Sequence, residues 1–523
     1  MQTSLVLMAA MGEHAITGQP VRWVHDLIAG KPEQAMAIIE DSGAAFTYGQ
    51  LDTMTRTLSE TLTNHGVRPG DRIMLVSENC ATYAAAILAA SRLKAWISPV
   101  NARQTTAEID AIRDHSGARC MIFTPEASAA SRTHAERLGA IKLGRIDSGA
   151  IMVTPVQDAI PEPVEGAPTD RVAALLYTTG TTSTPKGVML THANLCWNAR
   201  VSAKLRGMTP NDTVLGVLPG THVFGFSSSF LSSLYAGSCI RFISRFSPDA
   251  VLDAFAEGAS IMSGVPQMYA HILRHLGETG RAYTAPRLHY ISAGGAPLDP
   301  DWKTRIEAIF GLPLNNGYGL TETSPSVAAT RADNPVSDLS CGPPLEDVAL
   351  EIANPDADGI GELLIRSPGV LKGYYRDPDL TAQTLEPDGT FHSGDLAHID
   401  ENGNLHLVGR LKELIIRSGF NVYPPEIEAM LTRHDKVSLA AVVGRPVPGD
   451  EEVIAFTLTD GAVCEAELHA FLRDRLAPYK LPRHIVIANE LPTAATGKIL
   501  KHKLVSHFAK ALAERDTKQE TGP

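Results

Sequence analysis

The stretch Tyr177-Thr178-Thr179-Gly180-Thr181-Thr182-Ser183-Thr184-Pro185-Lys186-Gly187-Val188-Met189-Leu190-Thr191 decides how the chain is read. It crowds hydroxyls, two glycines and one lysine between apolar runs. The run Val172-Ala173-Ala174-Leu175-Leu176-Tyr177 predicts a buried strand, Gly187-Val188-Met189-Leu190 predicts a second, and Thr191 is placed to N-cap a helix. Glycines let a backbone come close to an anion, hydroxyls and amides donate hydrogen bonds, and a lysine adds a point charge. A loop that holds phosphate follows. It is not the loop of the common NTPases, in which Gly, four residues, Gly-Lys and then Ser or Thr run into a helix. Pro185 has no amide proton to give, and Gly187 has no hydroxyl for Mg²⁺.

At 523 residues the chain exceeds one hydrophobic core, so at least two domains are expected. Hydrophobic residues make up 44% and charged residues 20%, a globular composition. The net charge of −12 argues against a nucleic-acid partner. Six cysteines without a Cys-x-x-Cys pair suit buried thiols in a reducing cytoplasm. The start has no basic segment, so no signal peptide is expected. The uncharged run from Thr213 to Ile240 contains Pro219, Gly220, Gly225 and five serines at 227–233, which favours a buried pocket wall over a membrane span.

Residues 46–125 alternate apolar runs (Arg72–Val76, Ala95–Val100) with an amphipathic segment (Tyr83–Leu93), the rhythm of an α/β layer. Leu288–Ser292 predicts a further strand, and Asp299-Pro300 a helix start bearing Trp302, Ile306 and Phe310. Asp388-Gly389 and Glu401-Asn402-Gly403 mark hairpin turns. After Arg410 a small α+β segment follows, with strands near 438–443, 452–458 and 484–488, a helix near 465–476, and one terminal helix carrying Leu500, Leu504, Phe508 and Leu512.

Four later segments, with the loop, give the chain a resemblance. Asn316-Gly317-Tyr318-Gly319-Leu320-Thr321-Glu322-Thr323, His392-Ser393-Gly394-Asp395, Gly409-Arg410-Leu411-Lys412 leading to Ser418-Gly419-Phe420, and Thr496-Gly497-Lys498 occur in this order. Together they resemble the adenylate-forming superfamily of acyl-CoA synthetases, 4-coumarate:CoA ligases, luciferases and peptide-synthetase adenylation domains, over roughly residues 45–505. One departure is clear: Ser183 stands where most relatives have Gly.

The resemblance implies an α/β fold with a large N-terminal adenylation domain (1–409), a hinge at 410–412 pivoting on Lys412, and a small mobile α+β domain (413–523) carrying Lys498. It implies nucleotide binding by Thr178, Thr179, Gly180, Thr181, Thr182, Ser183, Lys186, Gly294, Gly295, Ala296, Asn316, Gly317, Tyr318, Gly319, Asp395 and Arg410, with Tyr318 on adenine and Asp395 on the ribose. Catalytic roles fall to Lys498, Glu322, Thr321 and His222, and Mg²⁺ to Glu322 and Thr181. Ser418, Gly419 and Phe420 would line a tunnel for the thiol of coenzyme A. Lys501 and Lys503 read as the solvated face of the last helix.

The reaction so implied joins a carboxylic acid to ATP, releases pyrophosphate, and passes the acyl group from AMP to coenzyme A. No carrier module is fused, which makes coenzyme A the expected acceptor and a carrier protein in trans the alternative. Phe224, Phe226, Val265 and Met268 suggest an apolar acyl pocket, with space made by Gly294-Gly295. No Arg or Lys lies in those segments, and no Asp stands where amino-acid-activating domains place one, so a hydrophobic monocarboxylate, aryl or medium-chain, is expected. Self-association as a homodimer stays open.

Overall fold

The computed structural model describes residues 22–164, 166–167, 170–178, 185–418, 420–493 and 499–520. The chain divides into two compact units: Met1–Leu350 with Ile365–Phe391, and Glu351–Leu364 with His392–Pro523. The strands that carry Asp395 and Arg410 thus group with the second unit, ahead of the residues read as a hinge.

Two eight-stranded sheets build the first unit. One has at its centre the parallel strands Trp96–Asn101, Arg72–Ser77 and Cys120–Phe123, with the hairpin Val172–Thr178/Lys186–Thr191 beside Trp96–Asn101. All six residues of Arg72–Ser77 are buried, as expected of a strand covered on both faces. The other sheet runs Leu314–Gly319, Tyr290–Gly294, Ile261–Gly264, Thr213–Gly216, Cys239–Phe242 and Met36–Glu40, all parallel, with antiparallel strands at both edges. One core packs Val251, Phe255, Met262, Tyr269, Ile291 and Phe310 under the helices Pro248–Ala256, Pro266–Thr279 and Pro300–Phe310. Asp299 Oδ1 accepts from the amides of Asp301 and Trp302, so the expected cap forms. Most of the run from Thr213 is buried, and it includes wide π-type helical turns over Phe224–Leu231.

In the second unit Val437–Val447 pairs antiparallel with Asp450–Thr459, which pairs parallel with His484–Ala488. Side chains alternate between the two faces of this sheet. Val442, Val453 and Ala455 meet Ile427, Leu431, Leu468 and Leu472 of the helices Pro424–Thr432 and Glu465–Arg473. Ala441, Ile454 and Phe456 face Leu504 and Leu512 instead. The single terminal helix expected from the sequence is two, Lys501–His507 and Ala509–Glu520, broken at Phe508 with φ −100° and ψ 19°. Both Leu504 and Leu512 still reach the core, and the break lets each shorter helix follow the twisted sheet.

Five of the six cysteines are buried and free, and burial pushes their thiols above the usual cysteine pKa; Cys464 is exposed. No described helix is long and apolar enough to cross a membrane.

Candidate active site

The strands flanking the hydroxyl-rich loop form a hairpin with Leu175 opposite Met189, Tyr177 opposite Gly187 and Thr178 opposite Lys186. A Cβ on Gly187 would stand 3.0 Å from Leu175 Cδ1 and 3.3 Å from Tyr375 Cβ, which is why this strand position is bare. Leu175 and Leu190 are fully buried and hold the hairpin in the sheet. At its end Thr191 caps the helix His192–Leu205: its Oγ1 accepts from Asn194 N at 3.2 Å, and Asn194 Oδ1 accepts from Thr191 N at 2.8 Å. Thr178 and Lys186 are therefore paired at the loop's base. Thr179, Gly180, Thr181, Thr182 and Ser183 lie outside the described residues, as do Gly419 and Lys498.

The ends of two neighbouring parallel strands bring the next group together. Tyr290–Gly294 and Leu314–Gly319 put Gly294 opposite Gly317. A Cβ on Gly294 would sit 3.2 Å from Gly317 O and 3.4 Å from the Phe224 ring, and Gly295 turns the chain at φ +76°. Gly294, Gly295, Ala296, Gly317, Tyr318 and Gly319 thus line the carboxyl ends of the strands, where α/β sheets open a crevice. Phe224 borders Gly294, Val265 borders Gly295, and Met268 borders Gly264 at the end of the next strand. Phe226 is wholly buried and packs in the interior. Asn316 braces the strand, giving both side-chain protons to the carbonyls of Leu339 (3.0 Å) and Ser340 (3.1 Å).

Beyond Gly319 the chain makes a tight turn over Thr321–Thr323 that presents Glu322. Tyr374 Oη donates to Glu322 Oε1 at 2.9 Å, and the Leu371 amide donates to Glu322 O at 2.8 Å. Burial first, and then the Glu322 carboxylate, raise the Tyr374 phenol above its ordinary pKa, so it stays a donor. A half-exposed carboxylate with one oxygen bonded to a phenol is a fitting hard ligand for Mg²⁺. His222 is exposed, and its Nδ1 accepts from Phe224 N at 3.3 Å, which puts the neutral ring's proton on Nε2. The loop before it is fixed from below: Asn79 donates to the carbonyls of Gly216 and Leu218 and accepts from Gly220 N, and Tyr83 donates to Gly220 O.

Within the second unit Asp395 and Arg410 stand opposite each other on paired strands, with Nε and Oδ1 3.1 Å apart and the carboxylate side chain 5% exposed. Lys412 lies in the turn Leu411–Glu413. Ser418 adopts a left-handed φ of 51° and is held by Asp450, which accepts from its amide at 2.6 Å and its hydroxyl at 2.9 Å. Phe420 is 53% exposed and stacks on Tyr479 at 4.6 Å.

Lys501 departs from its expected place on a solvated face. Its Nζ lies 2.7 Å from Glu413 Oε2 and 2.8 Å from Glu428 Oε1, with the side chain 24% exposed. Burial works against its charge, but the Glu428 and Glu413 carboxylates outweigh that and keep its pKa above the usual lysine value. Lys501 follows the Lys498 loop, whose ends join through a bridge between Thr493 and Ile499 and a bond from Leu500 N to Pro492 O at 2.8 Å. Tyr374, Asn79, Asp450 and Lys501 are the site-shaping residues that sequence reading missed. Each acts on a partner between 32 and 141 residues away, or, for Lys501, on an element its own helix does not reveal.

Two family descriptions match the chain: the AMP-binding enzyme over residues 26–375 and the AMP-binding enzyme C-terminal domain over 426–498. Feruloyl-CoA synthase of an Amycolatopsis species is 34% identical, covering 90% of this chain and 95% of its own. Oxalate–CoA ligase of Arabidopsis thaliana is 32% identical over 87% and 92%. A solved structure of o-succinylbenzoate coenzyme A synthetase (MenE) from Bacillus subtilis, in complex with ATP and magnesium ion, superposes with a TM-score of 0.78 at 27% identity, over 92% of this chain and 99% of that one. Its α/β layers and small second unit likewise match the adenylate-forming fold that the sequence resembles. The chain belongs to the AMP-binding enzyme family, the adenylate-forming enzymes whose members include acyl- and aryl-CoA ligases.

Proposed function

We propose that the chain is an AMP-forming carboxylate–CoA ligase that activates a hydrophobic monocarboxylate, aryl or medium-chain, in the cytoplasm. The observation that carries this reading is the meeting of Gly294 with Gly317 and Phe224, and of Gly295 with Val265, at the strand ends: an apolar group on the strands that lead into the Glu322 turn. No Lys or Arg belongs to that group, so a second carboxylate on the acid would find no partner there.

A carboxylate acylates poorly because oxide is a poor leaving group. Attack of a carboxylate oxygen on the α-phosphorus of ATP breaks the bond to the pyrophosphate, which departs, and gives an acyl-adenylate. Attack of the coenzyme A thiolate on its acyl carbon then expels AMP. Charge gathers on phosphoryl oxygens, so the protein's part is positional and electrostatic. In this reading Thr178 to Lys186 hold phosphate, Tyr318 faces adenine, and Thr321 reaches the α-phosphate. Asp395 and Arg410 serve the ribose. Glu322 would hold Mg²⁺, which would supply positive charge against the phosphates. His222, with its proton on Nε2, orients the acid's carboxylate. Lys498 joins carboxylate and α-phosphate. Lys412 is the pivot of the second domain, and Ser418, Gly419 and Phe420 line the path of the thiol.

The test is acid-dependent pyrophosphate release with ATP and Mg²⁺ across short, medium, long, aromatic and dicarboxylic acids, with and without coenzyme A. Stimulation by an aromatic or medium-chain acid, with AMP and the acyl-CoA as products, is expected. Preference for a dicarboxylate would overturn the acid class, and release indifferent to coenzyme A would overturn the acceptor.

A further inference from the structure

A recess lies in the first unit, at the opposite end of the hairpin from the phosphate loop. Val172 lines it at the start of the strand whose other end is Thr178. Seven residues of strand put about 20 Å between the two. The recess has a volume of about 460 Å³, the size of a small-molecule site.

Its lining is cationic and aromatic in a chain of net charge −12. Lys94, Arg171, Lys372 and Arg376 line it against two carboxylates, Glu162 and Asp170. Glu162 is already matched: it accepts from Tyr375 Oη at 2.6 Å and has Arg72 Nη1 at 3.5 Å. Three flat rings, Trp23, Trp96 and Tyr375, complete the walls. Arg171 lies over Trp23 at 5.2 Å and Arg376 over Tyr375 at 5.0 Å. Among the described residues each guanidinium spends one N–H on a carbonyl, of Gly166 and His115 respectively, which leaves the rest of the fork for an acceptor. His192 at the floor adds no charge: burial first, then His25 and Arg171, pull its pKa down to about 3.

The recess also shares a chain segment with the candidate active site. Leu371 and Tyr374 hold Glu322, while their neighbours Lys372 and Tyr375 line the recess. The short strand Gly373–Tyr374 is pinned between them by pairing with Met189 and Val188 of the hairpin.

We propose that this recess binds a planar aromatic anion, and that residues 371–376 carry its occupancy to Glu322. Trp23, the half-exposed ring of the three, gives a flat ligand an aromatic wall beside Arg171, and the surplus of cations selects negative charge.

The probes are 2-naphthalenesulfonate and 1-naphthyl phosphate, which lack a carboxylate and so cannot be adenylated. With ATP and Mg²⁺ saturating, titration should change tryptophan emission saturably, at one probe per chain, since Trp23 and Trp96 face the recess. Arg171→Ala and Lys94→Ala should each weaken binding about tenfold while keeping the wild-type Tm. Both positions lie outside the catalytic machinery, and Lys94 is exposed, so its variant folds. Equal affinity in the wild type and both variants, or no saturation, would overturn the site. The link to Glu322 rests on the proposed reaction and is read separately. The Mg²⁺ giving half-maximal pyrophosphate release should move about fivefold with 2-naphthalenesulfonate present, and not in Arg171→Ala. Saturable binding without that movement would overturn the link alone, and the binding titration needs no turnover.

Discussion

The chain presents two lysine-bearing loops, and they are held in unlike ways. The loop before Lys186 closes a hairpin whose strands carry Leu175 and Leu190, fully buried in an eight-stranded sheet. The loop bearing Lys498 closes on the bridge from Thr493 to Ile499 and the bond from Leu500 N to Pro492 O, with the Lys501 ion pairs immediately after it. Ladder hydrogen bonds and burial fix the first, so it tolerates salt and changes of charge. Backbone bonds and partly buried ion pairs flank the second, an arrangement that, in the proposed reaction, suits a segment that approaches and leaves the reacting centre.

The sharpest break between them is Lys498→Ala. It should cut acyl-adenylate formation at least about a hundredfold while sparing thioester formation from supplied acyl-AMP. Equal loss of both half-reactions, followed by rapid quench, would remove the distinction. Leu175→Ala attacks the hairpin through its packing. A fully buried leucine there should cost about 2–5 kcal/mol of unfolding free energy in urea, with the remaining folded protein keeping its KM for the acid. An unchanged midpoint would mean that burial is not what anchors the hairpin.

Lys501→Ala should lower the adenylation rate about tenfold with little change in Tm, and added salt should slow the wild type more than the variant. A fall in Tm without a rate effect would make Lys501 purely structural. His192→Gln sharpens the first half at its foot. The His192 pKa falls from 6.5 to about 3 on folding, so the unfolded chain binds the extra proton. Stability through this group is therefore whole above about pH 6.5 and is lost as pH falls toward 3. The loss in midpoint between pH 7 and pH 5 should be about 1–2 kcal/mol smaller in His192→Gln. Identical losses would put acid sensitivity elsewhere.

Much of this was legible in the sequence wherever a signal is local. The hairpin strands, the Thr191 cap and the helix after Asp299 follow from apolar runs and capping residues a few positions apart. Glycines 294, 317 and 319 were legible as a motif, but the crowding that keeps two of them bare needed the fold: Gly294 lies against the carbonyl of Gly317 on the next strand, and Gly319 against the backbone of Pro325. The Tyr374–Glu322 bond spans 52 residues and leaves no trace in either segment. Lys501 was misread because a helical face shows which way a side chain points and not what waits there; Glu413 and Glu428 come from other elements. The terminal helix was read as one because its leucines keep fourfold spacing across the break at Phe508.

The cysteines give the molecule a practical asymmetry. Five thiols are sequestered with their thiolates suppressed, while Cys464 sits in the open at the start of Glu465–Arg473, the helix over one face of the second unit's sheet. A maleimide dye at neutral pH will therefore mark one position without any engineering. That position rides on the second unit, so the native chain comes ready for a single fluorophore whose anisotropy follows that unit through turnover.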